Sequence, residues 1–460
     1  MAYLWGCSLL NFFFFIFKKG DQMKLQSWAL YRKEHFGGII VNPEGNVWIV
    51  KEEVIRELEQ NEFDDDNIRQ FLIDTKMIKG NSEGSPNRSK YVLKDIKFKR
   101  TCEHLSSPLA VEFEITRNCN LNCPHCGIKG GAPREEELTT EEIFSILRTL
   151  KEMRVFEIFF TGGEPFVRKD MIKILNYASK LGFHVVVKTN GTLLNQMMLN
   201  KISPHVRFGL SLDGYGNDHD LSRGQGNFDI VLQTLELLKK NSRKIGVNFT
   251  VTHKNKRSLQ TANEMCVKMG IRMGLTPIHP FGRALENSEL LLQPEDAKYF
   301  VSARKYKINY FRSIYTQKYG SPEKRPLNLY DLEEIFNAGF QACRAGRGFA
   351  YITANGEIYP CINLAAIHQF RVGNIKEDDF KKIWEHGDKL QQFRKINKWS
   401  HFTLCKECDI SEVCNFRCPA LSYVLHHDYT TCGAYPAIKE IYRLAMKENL
   451  TDPINKIVSF

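Results

Sequence analysis

Three cysteines at x3 and x2 spacing, Cys119-Asn-Leu-Asn-Cys123-Pro-His-Cys126, carry the densest potential chemistry in the 460-residue chain. Three thiolates on one loop can bind three corners of an iron–sulfur cubane, leaving the fourth iron to another ligand. A catalytic zinc keeps one position open in the same way. Structural zinc is the competing reading, but it wants four protein ligands, and His125 between the cysteines would be an awkward fourth. A second group comprises Cys343, Gly356 and Cys361, then Cys405-x2-Cys408-x5-Cys414-x3-Cys418, then Cys432. A zinc ribbon would use Cys405, Cys408, Cys414 and Cys418 and leave the other three unexplained. Cys7, Cys102 and Cys266 have no motif around them and read as ordinary buried thiols. Thirteen cysteines, mostly in tight groups in a long chain, point to metal or cluster ligation and not to a secreted disulfide framework.

The elements that must hold these residues follow from periodicity. Strands are expected at Val111–Thr116, Phe156–Phe160, His184–Lys188, Val206–Leu212, Gly246–Val251 and Ile271–Thr276. Helical spacing is read at Thr140–Lys151, Lys169–Leu181, Phe228–Lys240 and Ser258–Met269. Six such βα units predict a parallel, right-handed assembly, an incomplete barrel with its chemistry at the strand C-terminal ends. The first cysteine loop follows the first strand. Thr161-Gly162-Gly163-Glu164-Pro165 follows the second, Thr189-Asn190-Gly191 the third and Ser211-Leu212-Asp213-Gly214 the fourth. Paired glycines let backbone approach a ligand closely. Glu164 can accept hydrogen bonds from an α-ammonium group, while Ser211 and Arg223 offer donors to a carboxylate or ribose.

Ahead of this region, Gly38–Val41 and Val47–Val50 read as a hairpin around Asn42-Pro43-Glu44-Gly45-Asn46. Helical spacing follows at Val54, Ile55 and Leu58 and at Ile68, Phe71 and Leu72, then a Gly/Ser/Asn-rich linker at 79–89. Tyr3–Phe17 is apolar but too short to span a bilayer and lacks a cleavage site. Lys18-Lys19-Gly20-Asp21-Gln22 before Met23 could be encoded by a purine-rich ribosome-binding site, so residues 1–22 are expected to be an over-called start. After the barrel, 293–340 is mostly helical and basic-aromatic, read as a connector, and further helices are expected near Phe380–Ile396 and Ala434–Glu448. The balance of 43% hydrophobic and 25% charged residues is that of a soluble globular protein. A net charge of +11 suits an acidic partner.

Taken in order, the four strand-end motifs resemble those of the radical S-adenosylmethionine (SAM) enzymes. The resemblance implies that Cys119, Cys123 and Cys126 hold a catalytic [4Fe–4S] cluster whose open iron is chelated by SAM. His125 would contact adenine, and Gly162, Gly163, Glu164, Asn190, Ser211, Asp213 and Arg223 would complete the cofactor-binding set. It further implies cleavage of SAM to a 5′-deoxyadenosyl radical that abstracts a substrate hydrogen. The chain departs from the family at the fifth strand, where no Gly-x-Ile-x-Gly-x-x-Glu is found.

The C-terminal cysteines resemble the SPASM extension of peptide-modifying members. By that resemblance Cys343, Cys361 and Cys418 serve one auxiliary cluster, and Cys405, Cys408, Cys414 and Cys432 the other, three [4Fe–4S] clusters in all. The first auxiliary set is one thiol short, so Cys266 or Cys102 completes it or one iron stays open. Ile362 follows Cys361 where sulfatase-maturing relatives carry an aspartate base, which disfavours formylglycine formation. The N-terminal module resembles the winged-helix-like leader-recognition domain of ribosomal peptide maturases, in which a leader peptide adds a strand to the sheet edge.

The expected fold class is therefore α/β, a partial (β/α)6 barrel with an N-terminal α+β leader-binding domain and a C-terminal cysteine-rich domain. The expected limits are 23–92 for leader recognition, 105–285 for the barrel, 286–340 for a helical connector, 341–440 for the SPASM domain and 441–460 for a tail. The closest resemblance is to sactipeptide synthases, which join a cysteine sulfur to an acceptor α-carbon. Thioethers to β- or γ-carbons, carbon–carbon crosslinks and epimerisation are the alternatives within the class, and a non-catalytic iron–sulfur scaffold is the alternative outside it. Expected partners are a precursor peptide with its leader and an external electron donor such as flavodoxin or ferredoxin. Nucleic acid and stable membrane association are not expected, and the expected compartment is the cytoplasm.

Overall fold

The computed structural model describes residues 25–80, 90–93, 104–322, 325–329, 331–332, 335–336, 342–405, 407–411, 413–414 and 417–450. The proposed over-called start, Cys7, Cys102, most of the linker and the last ten residues lie outside them. The chain divides into two compact units, Met1–Lys99 and Arg100–Phe460.

In the first unit an antiparallel sheet is ordered β1 (Leu30–Glu34), β2 (Gly37–Val41), β3 (Val47–Val50). The hairpin reading is correct, and its turn is held by Asn42, whose Oδ1 accepts from Glu44 N at 3.0 Å and Asn46 N at 2.9 Å. Hydrophobic patterning missed β1 because it buries charge. Arg32 and Glu34 are both buried and pair at 2.8 Å, so each offsets the other's desolvation. Helices α1 (Glu52–Gln60) and α2 (Asp66–Asp74) cover the sheet, α2 capped by Asp65 Oδ1 accepting from Asn67 N at 2.8 Å and Ile68 N at 3.2 Å. Ile40, Val54, Ile55, Leu58, Phe71 and Leu72 form the core. The free edge of β3 is partly taken by the chain itself. Lys51 N donates to Tyr91 O at 3.1 Å and Leu93 N to Ile49 O at 2.8 Å, while Tyr91 packs into the core against Phe71.

The second unit is built on nine strands ordered β12-β11-β10-β4-β5-β6-β7-β8-β9. The six expected parallel strands are β4 (Ala110–Thr116), β5 (Glu157–Gly162), β6 (His184–Thr189), β7 (Arg207–Ser211), β8 (Ile245–Val251) and β9 (Arg272–Pro277). Val111, Phe113 and Ile115 on β4 and Val247, Phe249 and Val251 on β8 belong to the large core, packed with Ile143, Leu147 and Leu150 of α3 (Thr140–Glu152). Alternate positions, among them Glu112, Lys188, Ser211 and Asn248, therefore line the opposite face of the sheet. Helices α4 (Met171–Lys180), α7 (Asn227–Lys240) and α8 (Leu259–Lys268) fall where periodicity placed them. Two short ones, α5 (Gln196–Lys201) and α6 (Asn217–Arg223), were not anticipated.

The cysteine-rich region is not a separate sheet. β10 (Phe349–Ile352) pairs parallel to β4, and β11 (Glu357–Tyr359) and β12 (Gly373–Asn374) continue antiparallel. The single helix expected at Phe380–Ile396 is two, Phe380–His386 and Asp388–Ile396. Gly387 between them has extended backbone, which interrupts the helix. The region expected as a connector holds one long helix, α9 (Ala297–Tyr319), which packs against the C-terminal helix Pro436–Lys447.

Candidate active site

The cysteine loop leaves β4 and is closed at its base by its own main chain. Cys119 N donates to Gly131 O at 2.8 Å and Gly131 N to Arg117 O at 3.0 Å. Two backbone amides aim at sulfur: Leu121 N lies 3.4 Å from Cys119 Sγ and Gly130 N 3.3 Å from Cys126 Sγ. Such N–H···S contacts suit thiolates, and with burial pushing the Cys119 and Cys123 thiols up, ligation is the natural way to stabilise the charged form. The three residues therefore fit an iron–sulfur cluster.

The loop after β5 runs beside it. Gly163 N donates to Thr116 O and Glu164 N to Asn118 O, both at 2.8 Å. A Cβ on Gly162 (φ +147°) would stand 2.2 Å from Thr116 O, and one on Gly163 2.1 Å from Asn118 O, so the glycine pair is required for this approach. Glu164 is fully buried and committed inward. It accepts from Thr189 Oγ1 at 2.7 Å, Asn190 N at 2.7 Å and Phe166 N at 3.1 Å, tying the second motif loop to the third. Burial raises its pKa despite these bonds. Asn190 Nδ2 donates to Asn120 Oδ1 at 2.9 Å, returning the third loop to the cysteine loop.

At the end of β7 a buried charge network forms. Asp213 Oδ2 accepts from Arg223 Nε at 2.5 Å and pairs with His125 Nε2 at 2.9 Å, and Asp213 Oδ1 accepts from Thr250 N at 2.6 Å. Burial opposes the charged form, yet Arg223, His125 and Thr250 hold Asp213 well below the usual carboxylate range. Arg223 Nη1 also lies 4.0 Å from Cys123 Sγ. The network thus reaches the cysteine loop, and α6 exists to supply Arg223 to it. Ser211 closes β7, half-buried, on the barrel-interior face.

A contribution that motif reading missed comes from the turn after β9. Arg283 Nε donates to Cys123 O at 2.8 Å and Nη1 to Gly130 O at 2.8 Å, and Arg283 N donates to Cys126 O at 3.0 Å. Asn287 Nδ2 donates to Pro124 O at 3.2 Å. The only sequence signal was the Gly282-Arg283 pair just past the last strand.

The first two cysteines of the second group lie at the other end of the strands. Cys343 precedes β10, which runs parallel to β4, and Cys361 follows β11, which runs back. Both therefore sit where β4 begins, whereas Cys119 sits beyond where it ends. Burial pushes the Cys361 thiol far up, with Cys343 and Cys418 close enough to add to the rise, and pushes Cys418 to about 12, again with Cys343 contributing. The structure thus brings Cys343, Cys361 and Cys418 together. Asn397 Nδ2 fixes the first of them by donating to Cys343 O at 3.1 Å. Cys266 is elsewhere, its Sγ 3.9 Å from Met273 Sδ on β9. Cys405 and Cys408 share one turn, Cys408 N donating to Cys405 O at 3.4 Å, Cys414 is buried, and Cys432 Sγ meets Ala434 O at 3.8 Å. Among the described residues no three His, Cys, Asp or Glu side chains close around a single metal ion. Ligands of different irons in one cubane stand wider apart than ligands of one ion. No helix among the described residues is long and apolar enough to cross a membrane.

Comparison with known proteins fits this geometry. Residues 113–263 match the radical SAM superfamily and residues 343–409 the SPASM iron–sulfur cluster-binding domain. The AdoMet-dependent heme synthase of Methanosarcina barkeri is 28% identical over 343 residues, covering 70% of this chain and 95% of that protein. Mycofactocin maturase MftC of Mycolicibacterium smegmatis is 28% identical over 332 residues, 69% of this chain and 80% of that protein. Among solved structures, Streptococcus suis SuiB bound to precursor peptide SuiA superposes with TM-score 0.65 at 18% identity, covering 90% of this chain and 100% of that one. The enzyme anSMEcpe with bound AdoMet and a peptide gives TM-score 0.59 at 19% identity, over 76% of this chain and 99% of that one. The chain is an enzyme with a radical SAM domain and a SPASM domain, and it uses SAM and iron–sulfur clusters.

Proposed function

We propose that this radical SAM/SPASM enzyme matures a ribosomally synthesised precursor peptide, joining a cysteine sulfur to the α-carbon of an acceptor residue. The carrying observation is the N-terminal unit. The likeness to peptide-bound SuiB covers 90% of the chain and so must include part of residues 1–99, a module with a three-stranded edge of the kind that takes up extended peptides. Because Tyr91–Leu93 already pairs with β3, an added leader strand takes the β1 edge or displaces that segment.

Cys119, Cys123 and Cys126 hold the catalytic cluster in this reading, and the cluster with SAM supplies hydrogen-atom abstraction when bound. Asp213 keeps Arg223 and His125 fixed beside the cysteine loop, Glu164 staples the second and third motif loops, and Ser211 faces the interior as a polar contact. Cys343, Cys361 and Cys418 serve the first auxiliary cluster. Cys405, Cys408, Cys414 and Cys432 serve the second. Thioether formation removes one S–H and one C–H hydrogen and makes one C–S bond. The C–H hydrogen leaves as an atom to the 5′-deoxyadenosyl group from SAM, the thiol gives up a proton, and the one electron left over needs an acceptor, a role suited to the auxiliary clusters. An external reductant such as flavodoxin or ferredoxin supplies the initiating electron.

The test pairs the anaerobically reconstituted enzyme with the small peptide encoded beside its gene. Loss of two hydrogens with a new crosslink through a cysteine supports the reading. SAM consumption with unchanged peptide mass points to epimerisation, and a crosslink that spares cysteine points to carbon–carbon joining. The similarity to heme synthase, 95% of which is spanned, supports a second reading with a tetrapyrrole substrate. Conversion of an iron tetrapyrrole with no turnover of the peptide would select it.

A further inference from the structure

We infer that Arg283 is a positioning residue for the cysteine loop, holding its main chain so that Cys119, Cys123 and Cys126 face one cluster. Wrapping three sulfurs around a cluster turns the loop's carbonyls outward, where they need donors. Arg283 supplies three, its fork reaching Cys123 O and Gly130 O at 2.8 Å each and its own N–H reaching Cys126 O at 3.0 Å. Asn287 Nδ2 adds Pro124 O at 3.2 Å and ties the turn to itself through Arg283 O at 2.8 Å. Gly282 takes φ +57°, and a Cβ there would stand 2.4 Å from both Cys126 O and Gly127 O, so the turn is pressed against the loop. Lys129 and Glu286 form an ion pair across the same junction.

The arrangement answers a problem of topology. β4, which carries the cysteine loop, lies mid-sheet, and β9, which carries the turn, is the sheet's edge. The two strands do not pair, so their C-terminal ends are joined at the mouth by these hydrogen bonds instead. A planar guanidinium can span two carbonyls at once, which an ammonium cannot do with the same rigidity.

The inference rests on Cys119, Cys123 and Cys126 being cluster ligands, and the experiment separates the two. The full chain is reconstituted anaerobically as wild type, Arg283→Gln, Arg283→Lys and a variant with all three cysteines changed to alanine. Iron per chain, the rate of iron loss to a chelator, and the electron paramagnetic resonance spectrum of the dithionite-reduced protein with and without SAM are recorded. Both Arg283 variants should lose the iron of this site roughly tenfold or more faster, the expected effect of losing charge-assisted hydrogen bonds. They should also lose the SAM-dependent spectral change while keeping the remaining iron. Wild-type behaviour of Arg283→Gln, or full rescue by Arg283→Lys, overturns the fork's role. Full iron content in the triple cysteine variant overturns the ligand assignment instead. Should Arg283→Gln give no folded protein, Asn287→Leu tests the same clasp. It should speed iron release by a smaller factor, and unchanged release overturns the inference.

Discussion

Asp213 gathers three partners onto one buried carboxylate, and what it loses on substitution follows from that. Asp213→Asn leaves the Arg223 guanidinium, 14% exposed, without its counter-charge, a change that costs up to about 3–5 kcal/mol when both partners are buried. The denaturation midpoint of the cluster-free protein should fall accordingly, with His125→Gln costing less. His184 gives the pH dependence. It is buried, accepts from Arg207 Nη2 at its Nδ1 at 2.8 Å, and burial together with that cation lowers its pKa to about 3. The unfolded chain, with an ordinary histidine near 6.5, binds the proton first, so stability is fully present above that value and declines as pH falls toward 3, by about 1.4 kcal/mol per pH unit for such a group. His184→Gln should flatten the fall in melting temperature between pH 6.5 and 4. The motif residues were legible as types, but their partners were not. Glu164 was read as an acceptor for an ammonium group; the donors that its carboxylate meets within the protein, Thr189 Oγ1 and the Asn190 backbone, were not foreseen. Asp213, His125 and Arg223 come together only because the fold places the β7 end over the cysteine loop.

Strand and helix positions inside the barrel were readable because each strand packs one face against helices, giving apolar alternation on a fixed period. The failures share a cause, which is weak local apolarity. α6 is Asn-Asp-His-Asp-Leu-Ser-Arg, with little apolar periodicity, and β1 hides a buried ion pair. The pairing of Tyr91–Leu93 with β3 depends on tertiary neighbours, so no window of sequence records it, whereas the break at Gly387 had a local signal in the glycine itself. The junction between β5 and the cysteine loop is where an element-level substitution should tell most. Gly163→Ala drives a methyl into Asn118 O, overpacking that typically costs 1–3 kcal/mol. Lower melting temperature of the cluster-free protein together with reduced iron content would show it, and Gly246→Ala, at a glycine without positive φ whose added Cβ meets nothing within 4 Å, should leave iron content unchanged.

Over the whole enzyme the proposed cluster count translates into metal. Three clusters require about twelve irons per chain, and a value near four would remove both auxiliary sites. Cys361→Ala should lower the iron content but leave the SAM-dependent spectral change of the reduced enzyme in place, because Cys361 lies at the opposite end of the strands from Cys119.

That separation also sets a length. β4 spans seven residues, about 20 Å of rise, and Cys119 and Cys361 lie beyond its two ends. A C–S bond forms only when sulfur and carbon are in contact, so in the proposed reaction both atoms meet at one place, and the span of β4 is a distance that the surplus electron must cross. The cysteines at the far end are then an outlet for that electron, and Cys361→Ala should lower the crosslinked product per SAM consumed before it slows SAM cleavage.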